Sequence, residues 1–414
     1  MKTKLPLLIC ALLVGSVLCN AQVLKKLEKK VERKINQRIE RNTDKAIDKG
    51  LDKIEGTVKE TTKNSDKESS GMETAQVPGS TGNYTSSKFD FVPGEKILFY
   101  DDFEQNPIGD FPVRWNTNGS GEIVSLKNQS GKWLKVPDNT ISFPEINGKL
   151  PQNFSIEFDL FYPVTGQRPP VTFGFSEVGN PAKNTIQHKN IFYFLIPSSV
   201  KQFIGYSTSL YSGRETTREW AVDKMAGKKI HASIAVNGSR IRLYLDEHKI
   251  FDLPKGFDNS GYRNNFHFRA APLIPKPKDA FYISNLRIAE AGHDARSALL
   301  KDGKYSTTGI YFATGSAQIK PESHGVIKEI ADALKDNSGI KIEIIGHTDN
   351  VGNAASNQKL SEQRAEAIKM YLTKNFNIDN SRISVSGKGP SKPVGSNATA
   401  EGRAQNRRVE FVLK

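Results

Sequence analysis

The chain has 414 residues, enough for two or three domains, and a formal net charge of +14 from 59 Lys and Arg against 45 Asp and Glu. Such a basic balance favours anionic partners but does not choose among nucleic acid, lipid headgroups and acidic polymers. Both cysteines, Cys10 and Cys19, lie close to the N-terminus, so the rest of the chain has no thiol for a disulfide, a nucleophile or a thiolate metal site.

In chain order, Lys2 and Lys4 precede the apolar run "LPLLICALLVGSVL", which ends in "CNAQ". A charged start, a short apolar run and small residues predict a signal peptide over 1–21, cleaved after Ala21. The run is shorter than the ~20 residues a membrane-spanning helix needs, and no later segment reaches that length. Export without helical membrane spans is therefore expected. Cys19 raises the alternative of a lipidated N-terminus, but Leu18 before it fits that signal poorly.

Residues 22–60 predict one charged amphipathic helix with a narrow stripe through Leu24, Leu27, Val31, Ile35, Ile39, Ile47, Leu51, Ile54 and Val58. The spacing is mostly four, which would wind right-handed against a second copy. A homo-oligomeric stalk, a lipid-surface helix and a solvated spacer all fit. Residues 61–90, rich in Ser, Thr, Gly and Lys, read as a flexible linker.

From 91 to 291 the pattern is that of strands. "NFSIEFDLFYP" places Ile156, Phe158 and Leu160 on one face. Ile230, Ala232, Ile234 and Val236 alternate up to Asn237-Gly238, and Ile241, Leu243 and Leu245 alternate back, a hairpin signal. Many short strands with frequent turns predict an all-β sandwich. The order of elements, opening on "ILFYDDFE" and closing on "FYISNLRIAE", resembles the concanavalin-like jelly roll of laminin-G-type and carbohydrate-binding modules. The strands lack the regular ~10-residue length and interfacial girdles of a membrane barrel.

Residues 292–306 read as a connector, and 307–414 alternate strand and helix. "TGIYFATGS" is expected to be a strand. "PESHGVIKEIADALKDN" is a helix with Pro321 in its first turn and Val326, Ile327, Ile330, Ala331 and Leu334 inward. "IKIEIIGHTD" is a strand, and "LSEQRAEAIKMYLTKNF" a helix with Leu360, Ala367, Ile368, Tyr371 and Leu372 inward. "RISVSGKG" and "RRVEFVLK" complete a β-α-β-α-β-β sandwich.

Within it, Asp349 ends a strand and Arg364 follows on the next helix, placed in its first turn, where unpaired N–H groups favour anions. The two charges read either as a receptor for a zwitterion, with ammonium on Asp349 and carboxylate on Arg364, or as a surface ion pair worth ~0–1 kcal/mol. The stretches "FATGSAQIKP", "IEIIGHTDNVG", "NQKLSEQRAEAI" and "NATAEGRAQNRRVEF" closely resemble the OmpA-like C-terminal domain of porin tails, peptidoglycan-associated lipoproteins and flagellar stator proteins. That resemblance implies a non-catalytic peptidoglycan binder of the diderm periplasm, on the inner side of the outer membrane. It implies that the pair holds the free D-centre of diaminopimelate in the stem peptide. It adds Arg407 and Asn357 as further contacts, with Thr348 orienting the turn. Of Arg403, Arg407 and Arg408, at least one is expected to buttress the site or face the ligand.

An enzyme is the main rival. His347 adjoins Asp349 in sequence but reads as a structural residue, and Ser361 has no evident base. Glu157 and Asp159 lie on one strand face, as a glycosidase needs, yet Tyr162 stands where a laminarinase-type pattern has a third acid. Trp115, Trp133 and Trp220 offer either sugar-stacking faces or core packing. Asp101 and Asp102 offer at most a calcium turn; no other cofactor is expected. The chain shows no zinc pattern and no aromatic-interleaved basic element, and nucleic acid is not expected as a partner.

Overall fold

The computed structural model describes residues 89–163, 169–177, 180, 191–199, 201–210, 214–257, 262–272, 280–292 and 295–414. The expected signal peptide, charged helix and nearly all of the linker lie outside the described residues.

The strands of the first part are β1 (Lys96–Asp101), β2 (Trp115–Thr117), β3 (Glu122–Ser125), β4 (Lys132–Val136), β5 (Thr140–Pro144), β6 (Asn153–Phe161), β7 (Val171–Ser176), β8 (Ile191–Ile196), β9 (Phe203–Thr208), β10 (Arg214–Ala221), β11 (Lys229–Asn237), β12 (Arg240–Leu245), β13 (His248–Leu253), β14 (Asn265–Ala270) and β15 (Phe281–Glu290). One sheet runs β13-β12-β11-β6-β15-β4-β3, with β1 also on β15; the other runs β10-β9-β8-β7-β14-β5-β2. The first and last strands of this part therefore pair, Asp101 opposite Leu286. The sheets meet through aromatic rings: Phe158 of β6 lies 4.9 Å from Phe268 of β14 and 5.2 Å from Phe173 of β7. Burying each such ring contributes about 1.5–3 kcal/mol.

The β11–β12 hairpin forms where the alternation placed it, but Asn237 stays in the ladder opposite Arg240. The turn is Gly238-Ser239, and Gly238 alone of the two has positive φ, at 59°. A glycine at the first central position is what a type II′ turn requires.

Strand β6 departs from simple alternation. Its inward row, Phe154, Ile156, Phe158 and Leu160, is buried as expected. Its outward row, Ser155, Glu157 and Asp159, is buried too, because the C-terminal part of the chain covers that face. Residues 89–94 also run across it. Phe89 and Phe91 each pack 5.5 Å from the Tyr244 ring, and Asp90 accepts hydrogen bonds from the Tyr244 hydroxyl at 2.9 Å and Lys249 at 2.7 Å. The end of the expected linker is thus seated on the sandwich.

The C-terminal part comprises α1 (Ala295–Asp302), β16 (Lys304–Thr307), a 3₁₀ turn at Pro321–Ser323, α2 (His324–Asp336), β17 (Ile342–His347), α3 (Ala354–Phe376), β18 (Ile383–Gly389), α4 (Ala400–Asn406) and β19 (Val409–Leu413). Its sheet runs β16-β19-β17-β18, with β17 and β18 parallel. The five inward residues expected on α2 are fully buried.

Three expectations are corrected here. The first strand is "KYST", not "TGIYFATGS". Around Tyr311 the backbone is satisfied by the Ser323 hydroxyl, which accepts from Tyr311 N at 2.8 Å and donates to Tyr311 O at 3.2 Å. Only a single bridge, Phe312 to Ile319, forms nearby. Consequently 292–306 is not a mere connector: Ala295, Leu299 and Tyr305 belong to the α/β core. On α3, Leu360, Ala367 and Tyr371 are only half-buried, while Ser361 and Ala365 are fully buried, because the helix passes close over Gly346 and Gly387, where a Cβ would overlap Ser361 or its neighbours.

Candidate functional site

Strand β17 delivers the site. At its end Thr348 N donates to Gly389 O at 3.0 Å, and the Thr348 hydroxyl donates to Asp349 O at 2.8 Å. Asp349 Oδ1 accepts from Val351 N at 3.1 Å, and Asn357 Nδ2 donates to Val351 O at 2.9 Å. Thr348 and Asn357 thus shape the loop that presents Asp349. Asn353 caps α3, its side chain accepting from Ala355 N and Ser356 N at 2.9 and 3.0 Å.

Arg364 is not in the first turn of that helix. Ten residues past Ala354, it lies about 15 Å along the axis, and the helix N–H groups are engaged by Asn353 rather than shared with the arginine. The site therefore depends on side chains. Arg364 Nε donates to Ser316 O at 3.0 Å, and its guanidinium lies over the Phe312 ring at 4.9 Å. Its two terminal amino groups have no acceptor among the described residues. Burial, reinforced by nearby Arg407, lowers the Arg364 pKa, but a guanidinium stays protonated at any physiological pH.

Asp349 pairs with Arg407, not Arg364: Nη1 of Arg407 is 2.7 Å from Asp349 Oδ2. The Asp349 side chain is 13% exposed and that of Arg407 35%, so this ion pair stays partly hydrated and contributes modestly to stability. Arg364 and Arg407 line one cavity of ≈ 160 Å³; Asp349 is bonded to Arg407 but is not part of the cavity wall. One carboxylate and two guanidinium groups leave the corner net positive.

Of the remaining arginines, Arg403 donates to Asn397 O at 3.1 Å. Arg408 is held by Glu410 at 2.7 and 3.0 Å and by Lys392 O at 3.0 Å. Both brace the fold, and Arg407 is the one that faces Asp349. His347 is buried, with neither ring nitrogen hydrogen-bonded among the described residues; burial and the Arg408 charge push its pKa down to about 4. Ser361 Oγ donates to Gln358 O at 2.7 Å and accepts from Gly389 N at 2.9 Å, a structural use of the hydroxyl.

The sandwich candidates resolve differently. Glu157 meets Arg287 and Tyr311, both at 2.8 Å. Asp159 meets His231 and Asn285, both at 2.9 Å, and Lys229 at 3.3 Å. Covered and fully paired, these carboxylates cannot flank a sugar bond. Trp115, Trp133 and Trp220 are all buried, at 4%, 1% and 7% exposure, so none offers a stacking face. Asp101 spends both oxygens internally, on Phe103 N at 2.8 Å and Trp115 Nε1 at 3.1 Å.

Sequence reasoning missed Tyr100, whose ring lies 5.5 Å under the Arg407 guanidinium. It sits on β1, in another part of the chain, with no local motif to point to it. Phe312 and Ser316 lay within the quoted "FATGS", and their roles follow from the turn that replaced the expected strand.

Fold and site define a small α/β domain with a charged corner at the end of its central strand. Residues 311–407 match the OmpA family, and the chain therefore carries an OmpA-like domain at its C-terminal end. This stretch is 44% identical over 101 residues to outer membrane porin F of Pseudomonas aeruginosa, a match covering 24% of this chain and 29% of the porin. It is 38% identical over 104 residues to the peptidoglycan-binding protein ArfA of Mycobacterium bovis, covering 25% of this chain and 32% of ArfA. Among solved structures, the peptidoglycan-associated lipoprotein from Burkholderia pseudomallei is 28% identical, with 30% of this chain and 98% of that one covered and a TM-score of 0.26. The match spans less than a third of the length of either curated relative.

Proposed function

We propose that the protein is a non-catalytic anchor of the cell envelope that holds peptidoglycan through its OmpA-like domain. The ligand group is the zwitterionic end of diaminopimelate in the stem peptide. The observation that carries this reading is Arg364, whose two terminal amino groups lack an acceptor among the described residues, beside the Asp349–Arg407 pair. The ligand carboxylate takes the Arg364 fork, a bidentate match. The ammonium takes Asp349, which keeps lone pairs beyond those used by Val351 N and Arg407. The peptidoglycan-binding name of ArfA supports the choice of polymer. The charged N-terminal start with its apolar run supports export to the periplasm.

Each charge-assisted hydrogen bond contributes ~1.5–3 kcal/mol, most of which is offset by the cost of association. A modest single-site affinity suits a polymer that offers many copies. Co-sedimentation of the full chain with purified sacculi is the test. Asp349→Ala and Arg364→Ala should each abolish pelleting while circular dichroism stays unchanged; pelleting by both variants at wild-type levels would refute the site.

A further inference from the structure

Across the outward face of the sandwich, β1 and β15 pair Tyr100 with Arg287, while Phe99 and Ile288 turn into the core. The pleat therefore aims Tyr100 at the OmpA-like domain. Its position there is held from several sides. Tyr100 N donates to a Glu401 carboxylate oxygen at 3.4 Å. Arg114, stacked over Phe99 at 4.5 Å, pairs with the same Glu401. The Arg407 guanidinium covers the Tyr100 ring.

Tyr100, Arg364 and Arg407 line the same ≈ 160 Å³ cavity. Most other polar groups in its wall are already engaged: Arg287 with Glu157 and Thr308, at 2.8 and 2.7 Å, Tyr311 with Glu157, and Arg408 with Glu410. The Tyr100 hydroxyl and the Arg364 amino groups have no partner among the described residues. Burial pushes the Tyr100 hydroxyl up to about 12, so it keeps its proton and can donate. The one other unpartnered wall residue among the described residues, His347, has both ring nitrogens buried, so the donors that face the cavity are the tyrosine hydroxyl and the arginine fork, a pair suited to an oxyanion.

We propose that the sandwich completes the ligand site, the Tyr100 hydroxyl donating to the same ligand carboxylate that Arg364 grips. This inference rests on the anchor reading above. It makes the pocket a joint product of two folds, selective for an amino acid whose carboxylate is free. An amide in that place would carry no charge and would offer the Arg364 fork, which can only donate, one acceptor oxygen in place of two.

The test uses the full chain and titration calorimetry with a stem tetrapeptide, whose diaminopimelate has one free ammonium and carboxylate centre, and with the same peptide amidated at that carboxylate (the monoamide). Tyr100→Phe keeps the ring beneath Arg407 and removes one hydrogen bond to a charged group, so affinity for the free acid should fall about 10-fold. The monoamide should bind wild type and variant alike, narrowing the acid-over-amide preference in the variant. A structural role alone would shift both ligands together. Equal affinity of wild type and Tyr100→Phe for the free acid, or tighter binding by the variant, would overturn the joint pocket and leave the anchor reading standing. Failure of the wild type to bind the free-acid peptide would overturn both.

Discussion

Arg364 shows how much of one residue's role lies in its geometry rather than its charge. Its guanidinium is set by three constraints at once: the Nε bond to Ser316 O, the face of Phe312 and the nearby charge of Arg407. Arg364→Lys would keep the charge, lose the Nε bond and the stacking, and replace a fork with a point. Binding to sacculi should weaken about 10-fold or more, since a charge-assisted bond of the bidentate pair disappears. Thermal stability should change little. Retention of wild-type binding by the lysine variant would mean that the planar fork is irrelevant. The residue types at this corner were legible in the sequence, because Asp349, Arg364 and Arg407 sit in the stretches that resemble the OmpA-like domain. Their pairing was not: that Asp349 takes Arg407 depends on where α4 ends and β19 begins, a tertiary fact with no local spacing to signal it. Tyr100 was illegible for the same reason, more strongly, since it approaches from another sheet.

At the scale of elements, the close pass of α3 over β17 and β18 positions everything else. The helix can lie so near because Gly346 and Gly387 face it without side chains. A Cβ on Gly346 would overlap the backbone oxygen of Ser361, an atom that cannot swing aside as a flexible side chain would. Gly346→Ala should therefore cost about 1–3 kcal/mol as overpacking, read as a lower urea midpoint at unchanged slope. An unaltered midpoint would show that the helix can lift without penalty. The periodic elements, α2 above all, were readable because an apolar face at helical spacing has few other uses. Short elements were not. "KYST" is polar and four residues long, and becomes a strand only because β19 offers it a ladder. Helix α4 begins at the cap Thr399, whose hydroxyl accepts from Gly402 N at 3.1 Å, but "TAEG" lacks the apolar stripe that would have flagged it.

On the scale of the whole molecule, a buried charge cluster on the outward face of the sandwich lies beneath the OmpA-like domain, which reaches it through Tyr311. His231 faces Asp159 at 2.9 Å and Glu157 at 3.6 Å. Lys229 reaches Asp159, Asp246 accepts the His231 backbone N–H at 2.9 Å, and Tyr311 and Arg287 close over Glu157; Glu322 of the C-terminal part adds a more distant negative charge through Asp246. Burying these charges is costly unless they are paired, and the Tyr311 bond to Glu157 and the Arg287 bond to Thr308 supply part of that pairing across the joint, so a slipped arrangement would lose it. Burial opposes a charged imidazole, yet the hydrogen bond to Asp159 and the nearby negative charge of Glu157 outweigh it and raise His231 from 6.5 to about 10. Burial likewise opposes the two carboxylates, but His231 and the other partners hold both below their ordinary values. A raised histidine gives stability that is complete below pH 6.5 and lost as pH climbs toward about 10. Depressed carboxylates give stability that is present above their ordinary values of 3.8 and 4.5 and lost as pH falls through the lowered ones. The cluster is thus strongest in mildly acidic solution, between those limits. Melting temperature should decline from pH 6.5 to 9.5 in the wild type, and His231→Gln should flatten that alkaline limb while lowering stability at pH 6. Parallel declines in the two proteins would show that His231 carries no proton at neutral pH and that the joint is held by other groups.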